Sequence, residues 1–290
     1  MESLIHDGTM MHEHMHMDLS RIKQDPDTCL DCHDQTLKEL RQLREAGITR
    51  ILDVTNIGMG RDLDLLRRLE AESGVTIVRS TGFYKDPFIP AEWQDATAEE
   101  MAATMVRDIQ EGNAAVIGEV GTSRNEWTDN EQKLFDAALL AHQATGAPIY
   151  THTTLGTLAL EQAKFLTEHG ADPKKVIIGH VDLAGDLDTI RQVLDTGVTV
   201  GFDTVGKTNY LPDETRVKML RQLEQEGRTD QIVLSMDITR RSQLADVAGP
   251  GYRYLMDGFV PMLLAAGMQE ETIRQMLETN PDRILGRRQS

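Results

Sequence analysis

The sequence predicts a (β/α)8 TIM barrel, a single domain over residues 1–290, with its chemistry at the C-terminal ends of the strands. Three observations predict it. Short β-branched runs recur along the chain, stretches with helical spacing separate them, and no Gly/Pro/Ser-rich linker divides the chain. An open doubly wound sheet has the same alternation, but no Gly-rich dinucleotide fingerprint follows an early strand.

The first strand is the segment "MMHEHMHMD" at 10–18. Alternate residues of a strand face one side, so His12, His14 and His16 can look the same way. Three imidazoles facing a core need partners for their nitrogens, and a metal is the obvious one. A helix follows in "DQTLKELRQLREAG" (34–47), with leucines at 37, 40 and 43 and Gly47 as the stop. Strands two to four are "ITRILDVT" (48–55), "VTIVRSTG" (75–82) and "AAVIGEVG" (114–121). The helix "DNEQKLFDAALLAHQATG" (129–146) repeats the earlier design with Leu134, Ala137, Leu140 and a closing Gly146. Strands five to eight are "APIYTH" (147–152), "KVIIGHV" (175–181), "VTVGFDT" (198–204) and "QIVLSMD" (231–237). Runs this apolar fit strands covered on both faces.

Composition excludes several classes. Asp and Glu number 47 against 30 Lys and Arg, for a net charge of -17, and a nucleic-acid surface would be basic instead. No apolar stretch approaches the ~20 residues that span a bilayer, and no basic-then-apolar leader opens the chain, so the expected location is cytoplasmic with no membrane partner. The two cysteines, in "CLDCH" at 29–33, have the spacing of c-type haem attachment. That chemistry needs an exported chain and an axial ligand, so Cys29 and Cys32 are read as reduced loop thiols without a function.

Catalytic groups of such a barrel sit where strands end. Strand one offers His12 and His14, strand four Glu119, strand five His152, strand six His180 and strand eight Asp237. From His14 onward they are separated by 105, 33, 28 and 57 residues, small multiples of a βα unit. Imidazole and carboxylate donors in phase at six positions suit zinc, with manganese or cobalt as substitutes.

"HEH", "GEVGTS", "THT", "GHVDL" and "SMD", in this order, resemble the phosphotriesterase family of the amidohydrolase superfamily, in its phosphotriesterase homology protein branch. The resemblance covers nearly the whole chain. It implies two divalent metal ions: His12, His14 and Asp237 on one, His152 and His180 on the other, and Glu119 bridging both. His16 matches no ligand and is expected to pack or hydrogen-bond beside them. Two ions, two carboxylates and a bridging hydroxide leave the centre positive, able to deprotonate water and to attract an anion. Asp237 is placed to hold a metal and to accept a proton during attack by that hydroxide.

Two departures from the family bear on its activity. Many relatives bridge their metals with a carboxylated lysine, whereas this chain has Glu119; the true phosphotriesterases carry a histidine after the strand-seven aspartate, whereas Thr204 follows Asp203 here. The resemblance therefore implies ester or lactone hydrolysis of a small-molecule substrate, with organophosphate hydrolysis or a non-catalytic metal-barrel binding protein as alternatives. Lys207, Arg240 and Arg241, in the loops after strands seven and eight, are expected to hold a substrate phosphate, as on a phosphorylated sugar lactone. Tyr84, beside Phe83, is expected to wall the pocket. The sequence is compatible with a homodimer.

Overall fold

The computed structural model describes residues 4–287, and its centre is a ring of eight parallel strands. These are β1 Gly8–Glu13, β2 Ile48–Asp53, β3 Thr76–Thr81, β4 Val116–Thr122, β5 Ile149–Thr153, β6 Val176–Ile178, β7 Thr199–Phe202 and β8 Ile232–Leu234. Each hydrogen-bonds to the next in chain order. Helices α1 His33–Glu45, α2 Leu63–Ser73, α3 Ala98–Gln110, α4 Asp129–Thr145, α5 Ala159–Glu168, α6 Leu187–Asp195 and α7 Asp213–Gln225 follow β1 to β7 in turn, and helical segments over 255–265 and 270–285 follow β8. Every strand of the ring overlaps a run read from the sequence. Among the described residues no helix is long and apolar enough to cross a membrane.

Local chemistry sets the helix ends. Thr128 accepts from the Glu131 N–H at 3.2 Å while the Glu131 carboxylate accepts from the Thr128 N–H at 3.1 Å, a capping box that satisfies two end donors of α4. Gly146 closes the same helix at φ +70°, a left-handed cap that glycine adopts without a Cβ penalty. Met11, Leu52, Val54, Val116, Tyr150, Ile177 and Val233 fill the ring's interior, and Ile284 packs with them. A second, larger apolar layer lies between strands and helices.

The first strand departs from the expected alternation. Its register against β2 shifts between Met10 and Glu13, where the strand ends, so a common face is not maintained beyond it. His12 and His14 are buried, whereas the His16 ring sits against His33, with His16 Nδ1 3.3 Å from His33 Nε2. Cys29 and Cys32 are free, half-buried thiols.

The seam between β8 and β1 is joined by a side chain. Glu13 Oε1 accepts from Ser235 Oγ–H at 2.8 Å and from the Met236 N–H at 2.7 Å, and Oε2 accepts from the Ile238 N–H at 3.0 Å. Ser235 Oγ accepts in turn from the His12 N–H at 3.0 Å, and the His12 carbonyl accepts from the Asp237 N–H at 3.2 Å. Burial pushes the Glu13 carboxyl up to about 7, against the pull of these three donors. Glu13→Ala would strip the acceptor from three buried donors, each costing about 1–3 kcal/mol when unmade, so urea unfolding should show a loss of about 3 kcal/mol or more. Glu13→Gln keeps one carbonyl oxygen and should lose less; equal losses for the two variants would contradict this account of the seam.

Candidate metal centre

Seven ionisable side chains meet at the C-terminal mouth of the ring. His12 and Glu119 lie on β1 and β4, His152 on β5, and His14, His180, Asp203 and Asp237 just past the ends of β1, β6, β7 and β8. Glu119 Oε2 lies 3.4 Å from His12 Nε2, 3.1 Å from His152 Nδ1 and 3.6 Å from His180 Nε2, while Oε1 lies 3.5 Å from His14 Nε2. Asp237 Oδ1 lies 3.3 Å from His14 Nε2 and 3.6 Å from His12 Nε2. All six residues read from the sequence as ligands are therefore brought together. Three compact groups of donor atoms result among the described residues: His12 with His180 and Asp203, and two others, His12 with His14 and Glu119, and His152 with His180 and Glu119. Glu119 belongs to both of the latter.

His180 and Asp237 hold left-handed backbone conformations at φ +57° and +54°. An L-residue gives up roughly 1–2 kcal/mol to sit there, so the surrounding packing must impose it. Gly201 shows how close that packing is: a Cβ there would stand 2.4 Å from Asp203 Oδ2 and 2.7 Å from the Tyr150 hydroxyl.

Asp203 is the functional residue the sequence reading passed over. Its Oδ1 accepts from both the backbone N–H and Nδ1–H of His180, at 2.9 and 2.8 Å, and its Oδ2 accepts from Tyr150 O–H at 2.7 Å. Fixing Nδ1 as the donor leaves His180 Nε2 toward Glu119, the arrangement by which a carboxylate orients a ligating imidazole. Asp203 ends strand seven in phase with the other candidates, and that position was the available signal. His14 is oriented likewise, with Nδ1 2.8 Å from Thr55 Oγ1.

The electrostatics favour a cation. Burial penalises each carboxylate, yet the His12 and His152 imidazoles hold Glu119 well below its ordinary range, and Lys207 with His14 does the same for Asp237. Burial opposes a charged His180, but the Asp203 carboxylate outweighs it and lifts the ring well above its usual value. His152 is pushed down by burial to about 4, which keeps it neutral and able to ligate. Both ring nitrogens of His12 and Nε2 of His14 are buried without a hydrogen-bond partner. Orphaned imidazole nitrogens facing shared carboxylates fit a metal.

Above them opens a cavity of about 270 Å3, lined among others by Tyr84, Lys207 and Arg240. The Tyr84 hydroxyl lies 3.2 Å from His152 Nε2, whereas Phe83 packs on Trp93. Lys207 is buried against Asp237 Oδ2. Arg240 reaches the rim but pairs with Asp25 at 2.5 Å and Asp27 at 3.5 Å. The expectation for Arg241 is corrected: it is exposed, pairs with Asp31, donates to the Cys29 carbonyl at 2.6 Å, and does not line the cavity. Acids of the loop after β1 claim it first.

The model of the phosphotriesterase family matches residues 4–285. The phosphotriesterase homology protein of Escherichia coli (strain K12) is 40% identical over 282 residues, 95% of this chain and 97% of that one. The crystal structure of the Escherichia coli protein, described as complexed with phosphate in the active site, superposes with a TM-score of 0.94 over 96% of this chain and 98% of that one. A lactonase from Listeria monocytogenes superposes at 0.91 with 26% identity, over 99% and 97% of the two chains. A variant of an organophosphorus hydrolase from Deinococcus radiodurans superposes at 0.85 with 30% identity, over 96% and 92%.

If Asp203 orients His180, Asp203→Asn should weaken metal binding by about 10- to 100-fold in competition with a chromogenic chelator. Tyr150→Phe removes only the hydroxyl that steadies Asp203 and should cost less. An Asp203→Asn affinity within about threefold of wild type would leave Asp203 without an orienting role.

Proposed function

The chain belongs to the phosphotriesterase family, and from that membership we propose that it is a binuclear-metal-dependent hydrolase of ester or lactone bonds in a small anionic substrate. The observation that carries the binuclear reading is Glu119: it is the carboxylate common to two groups of donor atoms, so a single side chain can serve both ions without carbon dioxide. His12, His14 and Asp237 would hold one ion and His152 and His180 the other. Histidine and carboxylate donors favour zinc, with manganese or cobalt as substitutes. Bound there, two divalent ions would lower the pKa of water and polarise the scissile carbonyl.

The chain's own residues supply the rest. Asp237 directs Oδ1 toward the histidines and Oδ2 toward Lys207, so it stays ionised and can receive the proton that attack releases. Tyr84, with its hydroxyl beside His152, narrows the cavity over the reacting bond. The residue after Asp203 is Thr204, whose hydroxyl donates to Asp182 at 2.5 Å, so the proton route from Asp237 is not a histidine one.

A lactone or carboxylic ester is favoured over an organophosphate by the position of Thr204 and by the lactonase among the structural neighbours. The organophosphorus hydrolase keeps the triester as the second candidate. Anion preference is supported by the cations at the cavity and by the phosphate in the active site of the Escherichia coli protein.

Metal analysis of the replete protein should approach two ions per chain, and reconstitution should not depend on bicarbonate. A stoichiometry fixed at one removes the bridge from Glu119. The deciding assay is turnover of a panel of lactones, esters and a phosphotriester by the metal-loaded protein, and turnover of the triester alone would reverse the substrate assignment. On the best substrate, Asp237→Asn should lower turnover by about 10²-fold or more, the scale of a positioned acid-base group. Survival within a few-fold would remove its proton role.

A further inference from the structure

The cavity above the metal centre has four cationic side chains on its lining, Lys23, Lys85, Lys207 and Arg240. Two of them are already engaged, Lys207 by Asp237 and Arg240 by Asp25. The other two are not: among the described residues neither Lys23 nor Lys85 has a side-chain ion pair or hydrogen bond. In a chain of net charge -17, two cavity lysines left without a carboxylate are unexpected, since acids outnumber bases by 47 to 30.

Their placement is specific. The rings of Tyr84 and Phe88 pack at 5.2 Å between centroids and form one wall of the cavity. Lys23 Nζ lies 5.9 Å from the centre of the Phe88 ring, and Lys85 Nζ 5.7 Å from that of Tyr84. Each ammonium thus rests on one member of a tilted, packed aromatic pair, held by the attraction of a cation for a ring face. That interaction fixes an ammonium while leaving its donors free for an anion. Lys23 comes from the loop after β1 and Lys85 from the loop after β3, so the two approach from different loops.

We infer that Lys23 and Lys85 form an oxyanion clamp that receives a carboxylate or phosphate at the end of the substrate remote from the bond that is cleaved, making them specificity-determining residues. The inference rests on the hydrolase reading above and deepens it. It moves anion recognition away from Arg241, which pairs with Asp31, to a wall where a short apolar segment can lie against Phe88. The substrate class follows: an ester or lactone of few carbons with one terminal oxyanion, in keeping with a cavity of about 270 Å3.

The test uses the metal-loaded full chain and three matched five-membered lactones, one neutral, one bearing a carboxylate and one a phosphate on the carbon remote from the ring ester. The wild type should favour at least one anionic lactone over the neutral one in kcat/KM. Lys23→Gln and Lys85→Gln should each lower that anionic-to-neutral ratio by about tenfold, the scale of one charge-assisted hydrogen bond, mostly through KM. The double variant should lose more, and Lys85→Arg should retain most of the preference. The arm that falls further identifies the anion. A double variant with the wild-type ratio and intact metal content overturns the clamp. If the metal-loaded wild type opens none of the three rings, the hydrolase reading has failed separately. The clamp is then judged by calorimetric titration with the three ring-opened acids: a tenfold or greater loss of affinity for a doubly anionic acid in the double variant supports it, and unaltered affinity overturns it.

Discussion

Closure of the ring and assembly of the candidate metal ligands depend on one interaction, the Glu13 carboxylate across the seam between β1 and β8. Glu13 stands between His12 and His14, and its three donors, Ser235, Met236 and Ile238, surround Asp237. A strand ladder would join the two edges through backbone groups alone and would leave the side chains on either side free to choose their rotamers. A carboxylate bound to the backbone on both sides of Asp237 instead locates that residue against His12, whose carbonyl accepts the Asp237 N–H. The left-handed backbone at Asp237 is held by the same contacts.

Behind this ring of ligands the charges are balanced by proximity. Glu119, Asp203 and Asp237 are all buried, and three uncompensated carboxylates in such a volume would be prohibitive. Lys207 at Asp237, His180 at Asp203 and the His152 ring nitrogen beside Glu119 offset them. Asp203 spends its oxygens on His180 and Tyr150, which removes it from competition for a metal even though it lies near His12 and His180. The donors that remain unpaired are those of His12 and His14, so the protein framework satisfies what orients the site and leaves what ligates.

The strands and the convergence of the six candidate ligands were legible in the sequence because a (β/α)8 barrel repeats. An apolar run ends at the mouth each time, so a His, Glu or Asp at the run's last residues has one destination, and periodicity alone delivers His12, Glu119, His152, His180 and Asp237 to it. The third histidine of the opening triplet was not legible, because the alternation holds only while the strand lasts, and β1 ends at Glu13. The loops were not legible for a different reason. Arg240 and Arg241 read as substrate groups by position, but their partners Asp25 and Asp31 lie more than 200 residues earlier, and nothing in the local sequence announces the pairing. Lys23 and Lys85 had no signal at all, since a single lysine in a polar loop follows no period.

These loop pairings account for where the cavity is positive. Asp25, Asp27 and Asp31 tie the loop after β1 to the loop after β8 through Arg240, Ser242 and Arg241, with Ser242 donating to both carboxylate oxygens of Asp27 at 2.8 and 2.6 Å. Exposed ion pairs of this kind contribute little stability one by one, and their effect is geometric. They hold the loop after β1 down over the mouth, where its next residues toward the amino end, Lys23 and Leu19, become wall. They also engage Asp25 and Asp31 with Arg240 and Arg241. An acidic protein can thereby present a cationic pocket: its carboxylates outnumber its bases, but along this rim Asp25, Asp27 and Asp31 are engaged by Arg240, Ser242 and Arg241, and the lysines over the aromatic wall are the charges left for the substrate to meet.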